Sequence, residues 1–159
     1  MNSAYYAGGC FWGVEYYMQK HAGVISVVSG YMGGHLDNPQ YAQVKTGTTG
    51  HYECVRVDYN PLEVSYERLT KLFFEIHDPV QKNGQGYDIG TQYRSAIFYR
   101  DESEKEIASN LIEVLKSKGY DVATRLLPVS RFWEAEAYHQ DYYDNNGKIP
   151  DCHSYVKRF

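Results

Sequence analysis

The stretch His51-Tyr52-Glu53-Cys54-Val55-Arg56-Val57-Asp58-Tyr59 alternates in character along its whole length. Successive side chains of an extended strand point to opposite faces. His51, Glu53, Val55, Val57 and Tyr59 therefore share one face, and Tyr52, Cys54, Arg56 and Asp58 share the other. The first face is addressed to an apolar layer and carries the Glu53 carboxylate toward it. Cys54 points away from that layer and reads as structural.

The segments on either side follow. Val24 to Tyr31 is rich in β-branched residues and ends at Gly33-Gly34, which predicts a strand. The stretch from Gly34 to Gly50, with Pro39 and three threonines, predicts a surface loop. Ser65 predicts the cap of a helix whose apolar stripe is Leu69, Leu72, Phe73 and Ile76, ended by Asp78-Pro79. Ala4 to Gly8 predicts a strand turning at Gly8-Gly9 into a helix that starts near Cys10, runs through Gln19 and stops near Gly23. Gln81 to Gly90 predicts a sharply bent loop, and Arg94 to Arg100 a strand. Ser103 to Lys118 predicts a helix with Ile107, Leu111, Val114 and Leu115 in register and Gly119 as its stop. Val122 to Leu127 predicts a last strand, Ala135 to Tyr143 a short helix, and the remainder an irregular tail.

Strands and helices thus interleave, with connections of unequal length. This predicts an α+β two-layer sandwich, a mixed sheet with helices packed on one face. A doubly wound parallel sheet is the alternative, but Gly8-Gly9 lacks the G-x-G-x-x-G spacing of its nucleotide-binding turn. A length of 159 residues suits one domain spanning 1–159.

Composition narrows the class. Hydrophobic residues at 43% and charged residues at 23% argue against disorder. No apolar run approaches the ~20 residues that span a bilayer, and Met1 to Tyr6 lacks the regions of a signal peptide. A net charge of −4 with scattered basic residues argues against nucleic acid as a partner. The three cysteines Cys10, Cys54 and Cys152 cannot all pair, and no Cys/His spacing fits a metal site. The expectation is a cytoplasmic protein with reduced thiols, one of them reactive.

Gly8-Gly9-Cys10-Phe11-Trp12-Gly13 puts Cys10 at the start of a helix, where free N–H groups and the helix dipole favour an anion. The expectation from this placement is a lowered thiol pKa. Phe11 and Trp12 offer aromatic walls. Local reasoning leaves an alternative open, in which Cys10 is a small buried hydrophobe among core aromatics. Glu53, directed into an apolar layer, is expected to hold its proton near neutrality. Cys152 lies in a tail with Gly147 and Pro150, loose enough to travel to another thiol.

Taken together the motifs resemble the methionine sulfoxide reductase A family. They are Gly9-Cys10-Phe11-Trp12-Gly13, Gly30-Tyr31-Met32-Gly33-Gly34, Asn38-Pro39-Gln40-Tyr41, Gly50-His51-Tyr52-Glu53 and His77-Asp78-Pro79. Gly90-Thr91-Gln92-Tyr93-Arg94-Ser95 and Tyr138-His139-Gln140-Asp141-Tyr142 follow in the family's order. The resemblance implies a ferredoxin-like fold, no cofactor, and Cys10 as the nucleophile that attacks a sulfoxide sulfur. It implies Glu53 as the acid near the sulfoxide oxygen, Tyr41 and Tyr93 as hydroxyl donors to that oxygen, and Phe11 and Trp12 as the box for the substrate methyl group. Asp88 and His139 match further polar residues of the pocket, and Cys152 matches a resolving cysteine. The implied substrate is methionine sulfoxide, free or in oxidised proteins, as the S epimer. The implied partner is thioredoxin or a similar dithiol reductant. Met32 and Tyr52 stand where the family usually has smaller residues.

Two other readings keep Cys10 reactive. A cysteine hydrolase would pair it with His139 or His51 and need no reductant. A thiol sensor would be oxidised by peroxide without turning over sulfoxide.

Overall fold

The computed structural model describes residues 1–148, 150 and 153–159. In chain order its first elements are β1 (Asn2–Gly8), α1 (Phe11–Met18), β2 (Val24–Met32), α2 (Tyr41–Val44), β3 (Tyr52–Tyr59) and α3 (Tyr66–Ile76). A hairpin of β4 (Gly84–Gln85) and β5 (Asp88–Ile89) follows, then a 3-10 turn (Thr91–Tyr93), β6 (Ser95–Tyr99) and α4 (Glu102–Ser117). The chain ends with β7 (Arg125–Pro128), β8 (Trp133–Glu134), a second 3-10 turn (Ala137–His139) and α5 (Tyr142–Asn146).

Six strands form one mixed sheet in the order β7-β6-β1-β3-β2-β8. Every pairing is antiparallel except β6 with β7. The inner four strands, with α1 between β1 and β2 and α3 between β3 and β6, make the two split β-α-β units of a ferredoxin-like fold. The predicted α+β sandwich is therefore what the chain forms.

Alternation on β3 sorts its residues as the sequence implies. Val55, Val57 and Tyr59 join Tyr6, Phe11, Phe73, Ile97 and Leu115 in the core between sheet and helices. Cys54 lies on the opposite face with Ala7, Met32, Tyr52, Ala96 and Phe98. That face is not left to water: Val129 and Phe132, from the crossing after β7, pack over it. Met32 and Tyr52 are register partners there, and Tyr52 meets Phe98 edge-on at 5.6 Å. Their larger side chains fill this second layer. Asp58, buried on the same face, accepts from Ser3 Oγ at 2.6 Å and pairs with Arg56 at 3.3 Å.

Helix boundaries follow their caps. Ser65 Oγ accepts from the Arg68 N–H at 3.0 Å, and Leu69, Phe73 and Ile76 are buried as predicted. Helix α4 starts earlier than its apolar pattern suggests. Asp101 caps it through the Glu104 N–H at 2.9 Å, and Glu104 reaches back to the Arg100 N–H at 2.9 Å. Its buried face is Ala108, Leu111, Ile112 and Leu115, so Val114, expected inside, is 41% exposed.

Three expectations are corrected. The 34–50 loop contains α2, and the 81–90 loop closes as the β4–β5 hairpin. The helix expected over Ala135 to Tyr143 is broken in two, because Asp141 adopts a left-handed conformation (φ 51°) between its halves. Among the described residues no helix is long and apolar enough to cross a membrane.

Candidate active site

The site begins where β1 ends. Gly9 has φ +92°, and a Cβ there would lie 2.5 Å from Gln85 Cβ, so only glycine turns the chain here. Cys10 is the N-cap of α1, and the N–H groups of Trp12 and Gly13 face its sulfur. The expected lowering of its thiol pKa is not what results. Burial pushes the Cys10 thiol well above its ordinary value, the charge of a Glu53 carboxylate adds to this, and the two helix N–H groups offset only part. An eight-residue helix supplies too little compensation for a sulfur half-buried at the floor of a cleft.

Glu53 enters from β3, opposite Tyr31 in the register, and is 1% exposed. Its Oε1 accepts from the Phe11 N–H at 3.3 Å. Its Oε2 is buried with no hydrogen-bond partner among the described residues. Burial pushes its carboxyl up to about 8, against the pull of the Phe11 N–H. At neutral pH it is a protonated acid next to a thiol.

A cleft of ≈ 200 Å³ opens on Cys10. Trp12, Tyr41, Asp88 and Tyr93, all singled out in the sequence, line it, together with Tyr87 and Tyr143. Tyr41 is the first residue of α2, and Tyr93 the last of the 3-10 turn before β6. The two supports are tied together: Thr91 Oγ1 donates to Gly47 O at 3.2 Å and Gln92 Nε2 to Lys45 O at 3.4 Å. Burial and the nearby Glu53 push both tyrosines up, so their hydroxyls stay protonated.

Phe11 is in the core beside Tyr31 and His139, at ring distances of 5.6 and 5.2 Å. Trp12 stacks on Tyr142 with centroids 3.6 Å apart and donates its Nε1–H to His139 Nδ1 at 3.0 Å. That bond puts the His139 ring proton on Nε2, and burial pushes its pKa down, so it is neutral. His51 cannot serve as a base: its ring nitrogens lie 3.1 Å from the Gly34 N–H and 2.7 Å from Leu36 O, closing the 34–51 loop.

The segment carrying His139 and Tyr142 is fastened by side chains. Gln140 bonds to both the N–H and the C=O of Ser29, each at 2.9 Å, as a neighbouring strand would. Buried Glu15, on α1, accepts the Asp141 N–H at 2.6 Å and so supports its left-handed backbone. Farther on, His153 Nε2 lies 2.7 Å from Gly8 O, and a Cβ on Gly13 would meet its Nδ1 at 2.1 Å. Cys152 lies outside the described residues.

Residues 2–159 match the peptide methionine sulfoxide reductase family from end to end. This chain belongs to that family. It is 50% identical over 152 residues to peptide methionine sulfoxide reductase MsrA of Nautilia profundicola, covering 96% of this chain and 88% of the relative. Among solved structures it resembles the reduced form of Mxr1 from Saccharomyces cerevisiae, with a TM-score of 0.90 and 35% identity over 99% of this chain and 92% of that one. Mxr1 in complex with Trx2 matches with a TM-score of 0.64 and 25% identity over 97% and 88%.

Within this methionine sulfoxide reductase, sequence reasoning missed Tyr87 and Tyr143 in the cleft wall, and the carboxylates Glu15 and Glu136 behind it. Tyr87 was hidden because its place depends on a two-residue hairpin. Glu15 carried a legible signal, an acid on the α1 turn below Cys10 among apolar neighbours. Glu136 carried none, since its partners Tyr31 and Tyr41 lie about a hundred residues away in sequence.

Proposed function

We propose that this reductase acts through Cys10, Glu53, Tyr41 and Tyr93, with Phe11, Trp12, Asp88 and His139 shaping the substrate pocket. The observation that carries the reading is Glu53 Oε2, buried with no hydrogen-bond partner among the described residues, on an acid that keeps its proton to about pH 8 beside the Cys10 thiol. The Cys10 sulfur attacks the sulfur of methionine sulfoxide. Glu53 gives its proton to the sulfoxide oxygen and takes one from the thiol, while the two tyrosine hydroxyls stabilise the developing charge. Oxygen and proton end on Cys10 as a sulfenic acid, and methionine leaves. The loss of the thiol proton to Glu53 answers the high Cys10 pKa, because no free thiolate has to exist beforehand.

Cys152 then displaces water from the sulfenic acid, forming a Cys10–Cys152 disulfide that an external dithiol protein reduces. A thioredoxin is the reductant of this scheme; Mxr1 from Saccharomyces cerevisiae, seen in complex with Trx2, supports it. The S epimer, free or in oxidised proteins, is the substrate, the chain acts as one reductase domain over 1–159, and the cytoplasm is its compartment.

Thiol counting after one turnover without reductant tests the scheme. Wild type should lose two thiols, and Cys152→Ser one, as a sulfenic acid. A Cys10→Ser protein that still reduced sulfoxide would end it. Turnover of esters or amides without reductant would instead favour a hydrolase.

A further inference from the structure

Tyr41 stands at the first position of a four-residue helix whose own box, Gln40 with Gln43, takes up the N–H groups of Gln40 and Gln43 and leaves that of Tyr41. A main-chain N–H at a helix start has no partner inside the helix. Here it is taken by a side chain from the other end of the chain: Glu136 Oε2 accepts the Tyr41 N–H at 3.1 Å. The second oxygen, Oε1, accepts from Tyr31 OH at 3.0 Å, and Tyr31 is fully buried under the sheet's helix layer. One carboxylate thus joins the core strand β2, the start of α2 and the turn that carries His139.

We propose that Glu136 is a positioning residue for Tyr41, fixing where the Tyr41 hydroxyl meets the reacting oxygen. The inference rests on the mechanism proposed above and adds a residue to it. Glu136 does not line the cleft; it acts through the residue that does. Both of its oxygens accept, which a carboxylate can do and an amide cannot, because half of an amide is a donor. Burial works against its charge, but the N–H and hydroxyl donors outweigh this and hold its carboxyl below the usual range. Glu136 is therefore an anion with both oxygens engaged, suited to hold a neighbour in one place. The Tyr41 ring also lies 4.6 Å from His139, three residues after Glu136, so the same turn contacts Tyr41 at two points.

The test is a double-mutant cycle on the single-turnover oxidation of Cys10 by a methionine sulfoxide peptide. Glu136→Gln is expected to slow this step roughly 10- to 100-fold, the cost of a misplaced donor, with peptide affinity changed less than about threefold. In a Tyr41→Phe background, where there is no hydroxyl to place, the same change should cost less than about twofold. Tyr31→Phe, which unties Oε1 but leaves the carboxylate, should give a smaller loss that also vanishes in that background. This second cycle decides the matter if near-ultraviolet circular dichroism shows that Glu136→Gln does not fold. Equal losses in both backgrounds, or no loss at all, would overturn the assignment of Glu136. A wild type that fails to oxidise Cys10 with the peptide would instead sink the reductase mechanism on which it rests.

Discussion

Desolvation raises the proton affinity of both Cys10 and Glu53, and the two consequences differ. For the acid it keeps a proton available at neutral pH; for the thiol it withholds the nucleophile until a proton acceptor is at hand. Glu53→Gln should therefore slow Cys10 oxidation by roughly 10²–10⁴-fold, the usual worth of a placed acid. Because the acid form is lost as pH rises through about 8, the wild-type rate of this step should fall above that pH. Single-turnover profiles should show no such fall in Glu53→Gln, and a fall preserved in that variant would remove Glu53 from the role. The direction of Glu53 was legible from the alternation of β3, since alternation is a local property of an extended chain. The Cys10 pKa was not, because it depends on how much chain from β3, α2 and the hairpin closes over the sulfur.

Periodic elements were legible and short ones were not. Helix α3 and strand β3 announce themselves by spacing and strand β2 by its β-branched content, and Leu69, Phe73, Ile76, Val55 and Val57 lie in the core as that reading expects. The four residues of α2 and the two of β8 have no period to read; a Gln40–Gln43 box and Glu136 hold the first, and pairing with β2 holds the second. Strand β8 pairs with β2 at Gly30, where an added Cβ would lie 2.5 Å from the Trp133 carbonyl oxygen and 2.3 Å from Phe132 Cζ. A backbone carbonyl cannot swing aside as a side-chain tip can. Gly30→Ala should thus cost about 1–3 kcal/mol in a denaturant melt, as overpacking does. It should also weaken hydrogen-exchange protection at Ala135, whose N–H bonds to Ser29 O just beyond the displaced strand. Unchanged stability and protection would show that β8 does not depend on that close approach.

At the scale of the whole molecule, buried ionisable groups tie folding to pH. Glu15 is held at about 8 in the folded chain against an ordinary 4.5. The folded state thus binds its proton more tightly, a contribution present in full below about pH 4.5 and lost as pH rises to about 8. His77 acts oppositely. Burial lowers it to about 3, so its contribution is lost as pH falls from its ordinary 6.5 through 3. Thermal melts should show Tm falling less between pH 5 and 8 in Glu15→Gln than in wild type, because glutamine keeps an acceptor for the Asp141 N–H without a titratable proton. Parallel melting curves for the two proteins would contradict the assignment.

The fastening of Gln140 onto Ser29 also bears on how copies of this chain treat one another. β2 is nine residues long, and β8 covers it only at Gly30 and Tyr31. Beside them, the Gln140 amide takes up both main-chain groups of Ser29. An uncovered strand margin is a template for a strand from a second molecule. A chain truncated before Trp133 would extend that margin over Ser29, Gly30 and Tyr31, and more self-association is expected, read as a rise in apparent mass in solution. The strip 133–140 that brings His139 to the cleft is thus also the guard on this edge of the sheet.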